Sequence, residues 1–284
     1  MDRVRGEQGV EGIGESGQIP GGKAVKIHLA IPYRILLSRL EEVVAHRICP
    51  EIYFDAQTLE EYREDELLRC IESLKGAGLT YSLHAPFMDL APGALDPKIR
   101  AVTAERLWAT LKVAELIRPE NVVFHPGYDR WRHGEYRREW LEMSIKTWRP
   151  LFEEARRVGI KVALENVFDE DPSLIREILQ RTGRWAGFCF DPAHHLLFGK
   201  VSIRQWLDAF KEDLIEVHIH DNRGEADDHL PPGDGLVDFD EVFAHLPKRD
   251  DIIFTLEVHR EEYVMRGMEA LKGLLEGWRA KWSS

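Results

Sequence analysis

Nine residues with metal-binding side chains lie at the ends of apolar runs in this chain of 284 residues, or in the loops that follow them. Runs such as SLHAP, VVFHPG, ALEN, FCFDPAHH, EVHIHD and FTLEV have the length of buried strands. A carboxylate or imidazole at the end of a buried strand is costly unless a partner compensates it, and a shared divalent metal ion would compensate several together. The nine residues are His84, His125, Glu165, Asp191, His194, His218, Asp227, His229 and Glu257.

Four of the nine come from consecutive apolar runs and define the first candidate metal site. Glu165 follows KVAL, Asp191 follows GFCF, His218 follows LIEV and Glu257 follows IIFTL. Two Glu, one Asp and one His form a hard, oxygen-rich donor set that suits Mn²⁺, Mg²⁺, Co²⁺ or Zn²⁺. The competing interpretation is a set of carboxylates that cap helices or pair with arginines. It could explain any one of these residues, but it is a weaker explanation for all four in consecutive strands.

The other five candidates would extend this site to hold as many as three ions. Histidines in SLHAP and VVFHPG are closely followed by proline, which stiffens the turn after each strand. A third histidine follows the aspartate of FCFDPAHH. The last two residues lie in the loop GEADDHLPPGDG, for which an ordinary solvated loop is the competing interpretation. The five are His84, His125, His194, Asp227 and His229.

Three more histidines near these motifs, His195, His220 and His259, are not predicted to be ligands. His220 shares a strand face with His218, because successive side chains of a strand alternate between its two faces. A role for His220 beside the metal or the substrate therefore stays open.

Eight strand-like runs alternate with helical patterns, and this order predicts the fold. Strands that alternate with helices at this spacing indicate βαβ units and a parallel sheet. Eight units in about 260 residues fit one closed (β/α)8 TIM barrel, a single α/β domain of about 250 residues in its usual form. A doubly wound sheet is the alternative, but no GxGxxG follows the first strand. The predicted strands are VKIHLAIP, EIYFDA, TYSLHAP, NVVFHPG, KVALENV, GFCFDP, LIEVHIHD and DIIFTLEV.

Helices are predicted between these strands, several of them with N-terminal start signals such as Asp96-Pro97 and Ser202. In such a barrel the active site lies at the C-terminal mouth of the strands, which is the end where the nine candidates fall. The predicted helices are Tyr33–His46, Leu59–Gly76, Pro97–Ile117, Glu135–Val158, Pro172–Thr182, Ile203–Glu212, Asp238–His245 and Glu261–Lys281.

Composition limits the class of protein. A hydrophobic content of 44% with 10% aromatic residues is ordinary for a globular chain, and the net charge of −12 argues against a large nucleic-acid surface. Residues 1–23 are predicted to be a flexible extension and residues 24–284 the barrel. No apolar run approaches the roughly 18 residues of a membrane span, and no secretory signal is visible. The three widely spaced cysteines are typical of free thiols, so a cytoplasmic location is expected.

On these motifs the chain resembles the xylose isomerase-like barrel superfamily over residues 24–280. That group includes sugar-phosphate isomerases and epimerases and the endonuclease IV family of apurinic-site nucleases. The resemblance implies one metal for the epimerase branch, held by residues that match Glu165, Asp191, His218 and Glu257. For the nuclease branch it implies three zinc ions on nine ligands, with Glu165 bridging two of them. All nine positions have a suitable residue here.

Three stretches depart from the nuclease branch. That branch has Asp-Thr-Cys-His where this chain has DPAH, beginning at Asp191, and His-Leu-Asn-Asp where this chain has HIHD, beginning at His218. It also favours a DNA-probing tyrosine where this chain has Phe87. The flanking sequence is closer to members described as sugar-phosphate isomerase/epimerase, with HAPFMDL, HPG, EN, DPAH, HDN and DDHLPPGDG in that order.

The first functional hypothesis is a metal-dependent isomerase or epimerase that acts on a small carbohydrate or its phosphate. The metal would act as a Lewis acid at the substrate carbonyl, and Glu165 and Glu257 would move the proton as base and acid. Two histidines would bind substrate hydroxyls, and one of two arginines would hold a phosphate. These substrate-binding candidates are His84, His194, Arg130 and Arg223.

The alternative hypothesis is a phosphodiesterase of the apurinic-site type with two or three Zn²⁺. Glu165 and Asp191 would then bridge metals or position water, and Lys23–Lys26 and Arg130–Arg132 would grip nucleic acid. A third hypothesis is a metal-binding barrel without catalysis. The sequence leaves the cofactor open among Zn, Mn, Mg and Co and among one to three ions, and it predicts a carbohydrate partner and no membrane.

Overall fold

Eight parallel strands close into a barrel in the computed structural model, which describes residues 25–282. The strands are β1 (Lys26–Pro32), β2 (Pro50–Tyr53), β3 (Ser82–His84), β4 (Val122–Phe124), β5 (Val162–Glu165), β6 (Gly187–Phe190), β7 (Leu214–Ile219) and β8 (Ile253–Leu256). Each strand pairs with the next along the chain, and β8 pairs with β1 to close the ring. The predicted (β/α)8 barrel and its eight strands are confirmed. The predicted extension, residues 1–23, lies outside the described residues.

Helices cover the outside of the barrel. Within the described range they are α1 (Tyr33–Ser38), α2 (Leu40–Ala45), α3 (Ala56–Glu61), α4 (Glu64–Gly76), α5 (Pro97–Ile117), α6 (Arg130–His133), α7 (Arg137–Val158), α8 (Ser173–Arg181), α9 (Pro192–Phe198), α10 (Ile203–Phe210), α11 (Phe239–His245) and α12 (Glu261–Ala280), with a 3₁₀ turn at Gly134–Tyr136. Between residues 25 and 282, none of these helices combines the length and the apolar character that crossing a membrane requires.

The strands are buried on both faces, as expected of a parallel sheet that helices cover. Every residue of β4 and β6 is buried. Aromatic side chains fill the layer between strands and helices: Phe188 of β6 stacks on Phe210 of α10 with ring centroids 4.0 Å apart, and Trp148 of α7 lies edge-on to Phe124 of β4. Because a close-packed layer allows little movement, the strand ends at the mouth are held in fixed positions.

The N-terminal caps predicted for α5 and α10 are confirmed. Asp96 accepts hydrogen bonds from the backbone N–H groups of the first turn of α5, and Pro97 is its first residue. Ser202 caps α10 and forms a reciprocal pair of hydrogen bonds with Gln205, the arrangement known as a capping box.

Two predicted helices are each divided in two. The predicted helix Tyr33–His46 is interrupted at Arg39, and the predicted helix Leu59–Gly76 is interrupted at Tyr62, whose ψ of 147° is extended. A new helix begins at Glu64 because three acidic residues in its first turn complement the positive end of the helix dipole. The sequence reasoning also missed the short helix α9, which begins directly after Asp191.

The loop after β7 is organised by one buried carboxylate. Asp221 accepts hydrogen bonds from the backbone N–H groups of Gly233, Gly235 and Val237, at 2.9–3.0 Å, and also from that of Asn222. Its own backbone pairs in both directions with Leu230 at 2.8 Å. A Cβ at position 235 would lie 2.3 Å from the Asp221 carboxylate, so only glycine permits this approach. The carboxylate therefore fixes where residues 222–237 lie.

Replacing Asp221 with alanine is expected to lower the free energy of unfolding by at least about 3 kcal/mol, because four backbone donors lose a charged acceptor in a buried place. Urea unfolding measures this loss, and hydrogen exchange at Gly233, Gly235 and Val237 locates it. Asp228→Ala is the matched control, because Asp228 lies in the same loop but is exposed. Equal stability of the two variants would contradict the assigned role of Asp221.

Candidate metal centre

The barrel brings all nine predicted ligands together at the C-terminal ends of its strands. His84 and Glu165 end β3 and β5, His218 lies in β7, and His125 and Glu257 directly follow β4 and β8. Each of the nine has a ligand atom within 4 Å of a ligand atom of another member, so they form one connected cluster. Eight parallel strands converging on one mouth produce this arrangement from residues far apart in sequence.

Glu165 lies at the centre of the cluster and is 1% exposed. Its Oε2 atom is 3.3 Å from His84 Nε2 and 3.1 Å from His125 Nε2. Its Oε1 atom is 3.1 Å from His194 Nδ1 and 3.5 Å from His218 Nδ1. The two oxygens thus face different pairs of imidazoles, which is the geometry of a carboxylate able to bridge two cations.

Asp191 uses its two oxygens for different purposes. Oδ1 accepts hydrogen bonds from the N–H groups of Ala193 and His194 and so caps α9, at 2.7 and 2.8 Å. Oδ2 faces the cluster, 3.3 Å from His194 Nδ1 and 2.8 Å from His220 Nε2. The side chain of Asn166 holds the Asp191 backbone through its N–H and its carbonyl. The sequence left two interpretations for this residue, a helix cap or a metal ligand. Asp191 caps α9 with Oδ1 and faces the cluster with Oδ2, so the two roles are compatible.

The loop after β7 carries its two candidates into the cluster. Asp227 Oδ2 lies 3.2 Å from His194 Nε2, and Asp227 Oδ1 lies 3.4 Å from His229 Nδ1. His229 is buried, adopts a left-handed backbone with φ of 50°, and faces Glu257 at 3.8 Å. A left-handed conformation is unfavourable for histidine and persists only where the surroundings enforce it. The interpretation of this stretch as a simply solvated loop does not fit these contacts.

His220 belongs to the cluster although the sequence reasoning did not count it as a ligand. It is fully buried, lies 2.8 Å from Asp191, and stacks on His229 with ring centroids 4.1 Å apart. His229 stacks in turn on the exposed His259 at 3.5 Å. The sequence did contain a signal for His220. Side chains two residues apart share a strand face, so His220 is expected on the same face as His218.

Neither arginine predicted to bind substrate phosphate has an ion pair with the nine candidates among the described residues. Arg130 pairs with Glu170 and lies over the ring of Trp131. Arg223 is exposed in the loop after β7. The sequence analysis did not predict an aromatic group on the segments that follow β4, β5 and β6. The ring centroids of Trp131 in α6, Phe168 and Phe198 in α9 lie within 6.2 Å of one another, and Trp131 is 63% exposed.

Burial and charge oppose each other throughout the cluster. Burial disfavours the ionised form of Glu165, but the facing imidazoles of His218 and His125 outweigh it and hold the pKa of that carboxyl well below its ordinary value. Burial likewise favours neutral His194, yet Asp191 and Asp227 raise the pKa of that imidazole well above its usual range. Without a metal ion, carboxylates and imidazolium groups neutralise one another.

The donor set fits divalent cations. Ligand atoms of three residues lie within 4.8 Å of one another in several groups, among them His84, Glu165 and His218, and also Asp191, His218 and Glu257. Both ring nitrogens of His218 and the Nδ1 atom of His220 are buried without a hydrogen-bond partner. Buried imidazole nitrogens that face carboxylate oxygens are ligands that Zn²⁺ and Mn²⁺ accept.

The sequence comparisons agree with this fold. The family model described as "Xylose isomerase-like TIM barrel" matches residues 49–274, and the chain belongs to this family. An uncharacterized protein of Methanocaldococcus jannaschii is 31% identical over 203 residues, which cover 68% of this chain and 69% of that protein.

Two solved structures extend the comparison to nearly the whole barrel. A D-tagatose 3-epimerase-like protein superimposes with a TM-score of 0.76 at 25% identity, over 90% of this chain and 99% of that one. A Thermus thermophilus protein soaked with ZnCl₂ has a TM-score of 0.72 at 27% identity, over 87% of this chain and 98% of that one.

The stabilisation that a divalent cation gives should increase with pH. His194 and His218 have raised pKa values, so their ion pairs stabilise the metal-free fold fully below about pH 6.5 and are lost as pH rises through the raised pKa. A cation must displace these protons, so it competes better at higher pH. The rise in Tm on replacing EDTA with Zn²⁺ should therefore be larger at pH 8 than at pH 6.

His218→Gln should reduce this pH dependence, because only His194 of the two histidines remains, whereas His245→Gln at the end of α11 should retain it. A Tm increase that is equal at both pH values, or larger at pH 6, would show that the imidazoles do not exchange protons for metal.

Proposed function

We propose that this protein is a divalent-metal-dependent isomerase or epimerase that transfers a proton next to the carbonyl group of a small carbohydrate. The observation that carries the proposal is the position of two carboxylates beside one imidazole. Glu165 from β5 and Glu257 from β8 lie 3.5 and 3.3 Å from His218 Nδ1. The resemblance to a D-tagatose 3-epimerase-like protein supports the same class of reaction.

Glu165, Asp191, His218 and Glu257 would hold the catalytic cation. Asp191 and His218 have no exposed surface, so the cation would be held on the inner side of the mouth, with the solvent-facing side left for substrate. When bound, the cation supplies Lewis acidity to the carbonyl oxygen and the neighbouring hydroxyl.

Epimerisation requires a proton to leave one face of a carbon atom and another proton to arrive on the opposite face. Glu165 and Glu257 come from strands three places apart in the barrel, and each can reach a substrate held at His218 from its own side. Both carboxyls have pKa values well below the ordinary value in the metal-free cluster, where burial opposes and neighbouring histidines favour ionisation. One would accept the carbon-bound proton, and the other, after taking up a proton from solvent, would donate it to the opposite face of the carbon; the first would then release its proton to solvent.

The buried histidines would orient the substrate. His84 and His194 lie beside Glu165 on opposite oxygens, where each could bind a substrate hydroxyl or a further cation. Arg130 is already paired with Glu170, which leaves Arg223 as the more accessible candidate for a substrate phosphate. The aromatic group of Trp131, Phe168 and Phe198 offers an apolar face to a sugar ring entering the mouth.

Glu257→Gln should abolish exchange of the substrate's carbon-bound proton, with a loss of roughly 10²–10⁴-fold, because Gln can still offer an oxygen to a metal but cannot carry a proton. The measurement is deuterium incorporation from D₂O into ketoses, ketose phosphates and inosose-like ketones. Glu269→Gln, at an exposed position of α12, is the matched control and should exchange normally. Full exchange by Glu257→Gln would remove this residue from the reaction.

A zinc-dependent phosphodiesterase is the second candidate, because all nine side chains that a trinuclear site would need lie in one cluster. The contacts of Asp227 and His229 with His194 and Glu257 favour it specifically. The net charge of −12 argues against it, since nucleic acid is bound mainly through its phosphates.

Elemental analysis of gently purified protein separates the two candidates. About one Mn or Mg per chain is expected for the isomerase, whereas about three Zn per chain would favour the phosphodiesterase. An abasic-site duplex with Zn²⁺ at low salt gives the second measurement. Efficient cleavage that is lost in Glu165→Gln, together with no deuterium uptake from any sugar, would overturn the isomerase proposal.

A further inference from the structure

Two glutamates are buried inside the barrel beneath the metal centre. Glu51 lies on β2 and Glu216 on β7, and neither has any exposed surface. Neither belongs to the nine predicted ligands. Buried carboxylates are costly unless hydrogen bonds or charges compensate them, so each must have a partner or a purpose in the barrel.

The two glutamates differ in how well they are satisfied. Glu216 accepts hydrogen bonds on both oxygens, from Asn121 Nδ2 at 2.7 Å and from the Thr255 hydroxyl. Glu51 accepts one long hydrogen bond on Oε2, from the Ser82 hydroxyl at 3.4 Å, and its Oε1 atom has no hydrogen-bond partner. Glu51 therefore has accepting capacity left over and Glu216 has little.

The free oxygen of Glu51 faces His218. Its Oε1 atom lies 3.4 Å from His218 Nε2, which also lacks a hydrogen-bond partner, whereas Glu216 Oε1 is 4.0 Å away. β2 and β7 are not neighbours in the barrel, so this contact crosses its interior. If the imidazole carries a hydrogen on Nε2, it can donate that hydrogen to Glu51 Oε1. Neither buried atom is then left without a hydrogen-bond partner.

The two nitrogens of His218 point in opposite directions. Nδ1 faces Glu165 and Glu257 in the candidate metal centre, and Nε2 faces Glu51. A neutral imidazole has one N–H and one lone pair, and a hydrogen bond at one nitrogen decides which nitrogen is left to bind a metal. A cation at Nδ1 thus requires the hydrogen on Nε2, and Glu51 is the acceptor closest to that hydrogen.

We propose that Glu51 is a positioning residue for the metal centre: its carboxylate accepts the Nε2 hydrogen of His218 and thereby presents the Nδ1 lone pair to the cation. This inference rests on the proposed role of His218 as a metal ligand and is independent of the substrate. Acceptors of this kind orient ligating histidines and increase their basicity.

Glu51→Leu should weaken Zn²⁺ binding by roughly 10–100-fold, the usual effect of losing such an acceptor. Glu51→Gln should bind with intermediate affinity, because its amide oxygen can still accept the hydrogen. Glu216→Gln is the matched control: it replaces the other buried carboxyl, whose Oε1 atom lies 4.0 Å from the same nitrogen, while Asn121 and Thr255 remain available to it. Its affinity should stay within about threefold of wild type, because Glu51 is still present to accept the Nε2 hydrogen of His218. Competition titration with a Zn²⁺ chelator measures all four proteins.

The tautomer of His218 gives a measurement that a merely structural glutamate would not change. In the Zn²⁺-loaded wild-type protein, ¹⁵N NMR of the histidine rings should show a hydrogen on Nε2 of His218 and none on Nδ1, with the signal assigned by its loss in His218→Gln. Because this test uses the wild-type chain, it stands even if Glu51→Leu does not fold, which circular dichroism and thermal unfolding will show.

The outcomes separate this inference from the function on which it rests. If wild-type protein binds no divalent cation, the proposed function fails and the role of Glu51 fails with it. If wild-type protein binds Zn²⁺ but both Glu51 variants bind equally well, or if the hydrogen lies on Nδ1, only the role of Glu51 is overturned. Equal weakening by Glu216→Gln and Glu51→Gln would overturn the specific role of Glu51, because replacing either buried carboxyl would then have the same effect.

Discussion

The arrangement of the mouth depends on the carboxylate of Glu165. Its two oxygens lie within 3.5 Å of four imidazoles that come from the ends of β3, β4 and β7 and from the start of α9. Each of those imidazoles is buried or largely buried and would be poorly solvated without an oppositely charged neighbour. A single buried negative charge therefore sets the position of side chains from four different βα units. Asp227 and Glu257, which are partly exposed, repeat the arrangement nearer to the solvent.

The strands and their end residues were predictable because two independent constraints coincide at them. Buried parallel strands require continuous apolar runs, which GFCF and VVF provide, and the C-terminal ends of such strands must meet at one mouth. A polar residue that interrupts such a run at its end, as Glu165 and His84 do, is visible without any knowledge of distant contacts. The fold and the strand-end members of the cluster could therefore be predicted from local sequence, and the family comparison agrees on the fold.

The buried glutamates inside the barrel, Glu51 and Glu216, were harder to predict. The groups that compensate their burial come from residues far away in the sequence. Glu51 stands next to Pro50 at the start of a short strand, where a charged residue is expected to face water. Its partners, Ser82 and His218, are recognisable only when the barrel is closed. The alternation of Glu216, His218 and His220 along one strand was a usable signal, since residues two apart share a face. The division at Arg39 had no comparable signal, because backbone angles there depend on packing. The division at Tyr62 did have one, in the three acidic residues of the first turn of α4.

The anchoring of the loop after β7 divides the cluster into two independently variable parts. Strand-end residues such as Glu165 and His218 are held in place by the backbone that forms the hydrogen-bonded ring of the barrel. Asp227 and His229 instead belong to a segment tied to the barrel through Asp221 and the Leu230 bridge. Insertions or substitutions between Asp221 and Leu230 can alter Asp227 and His229 while the strand-end residues stay in place. A barrel built in this way can change the outer candidate ligands without a change in its strands.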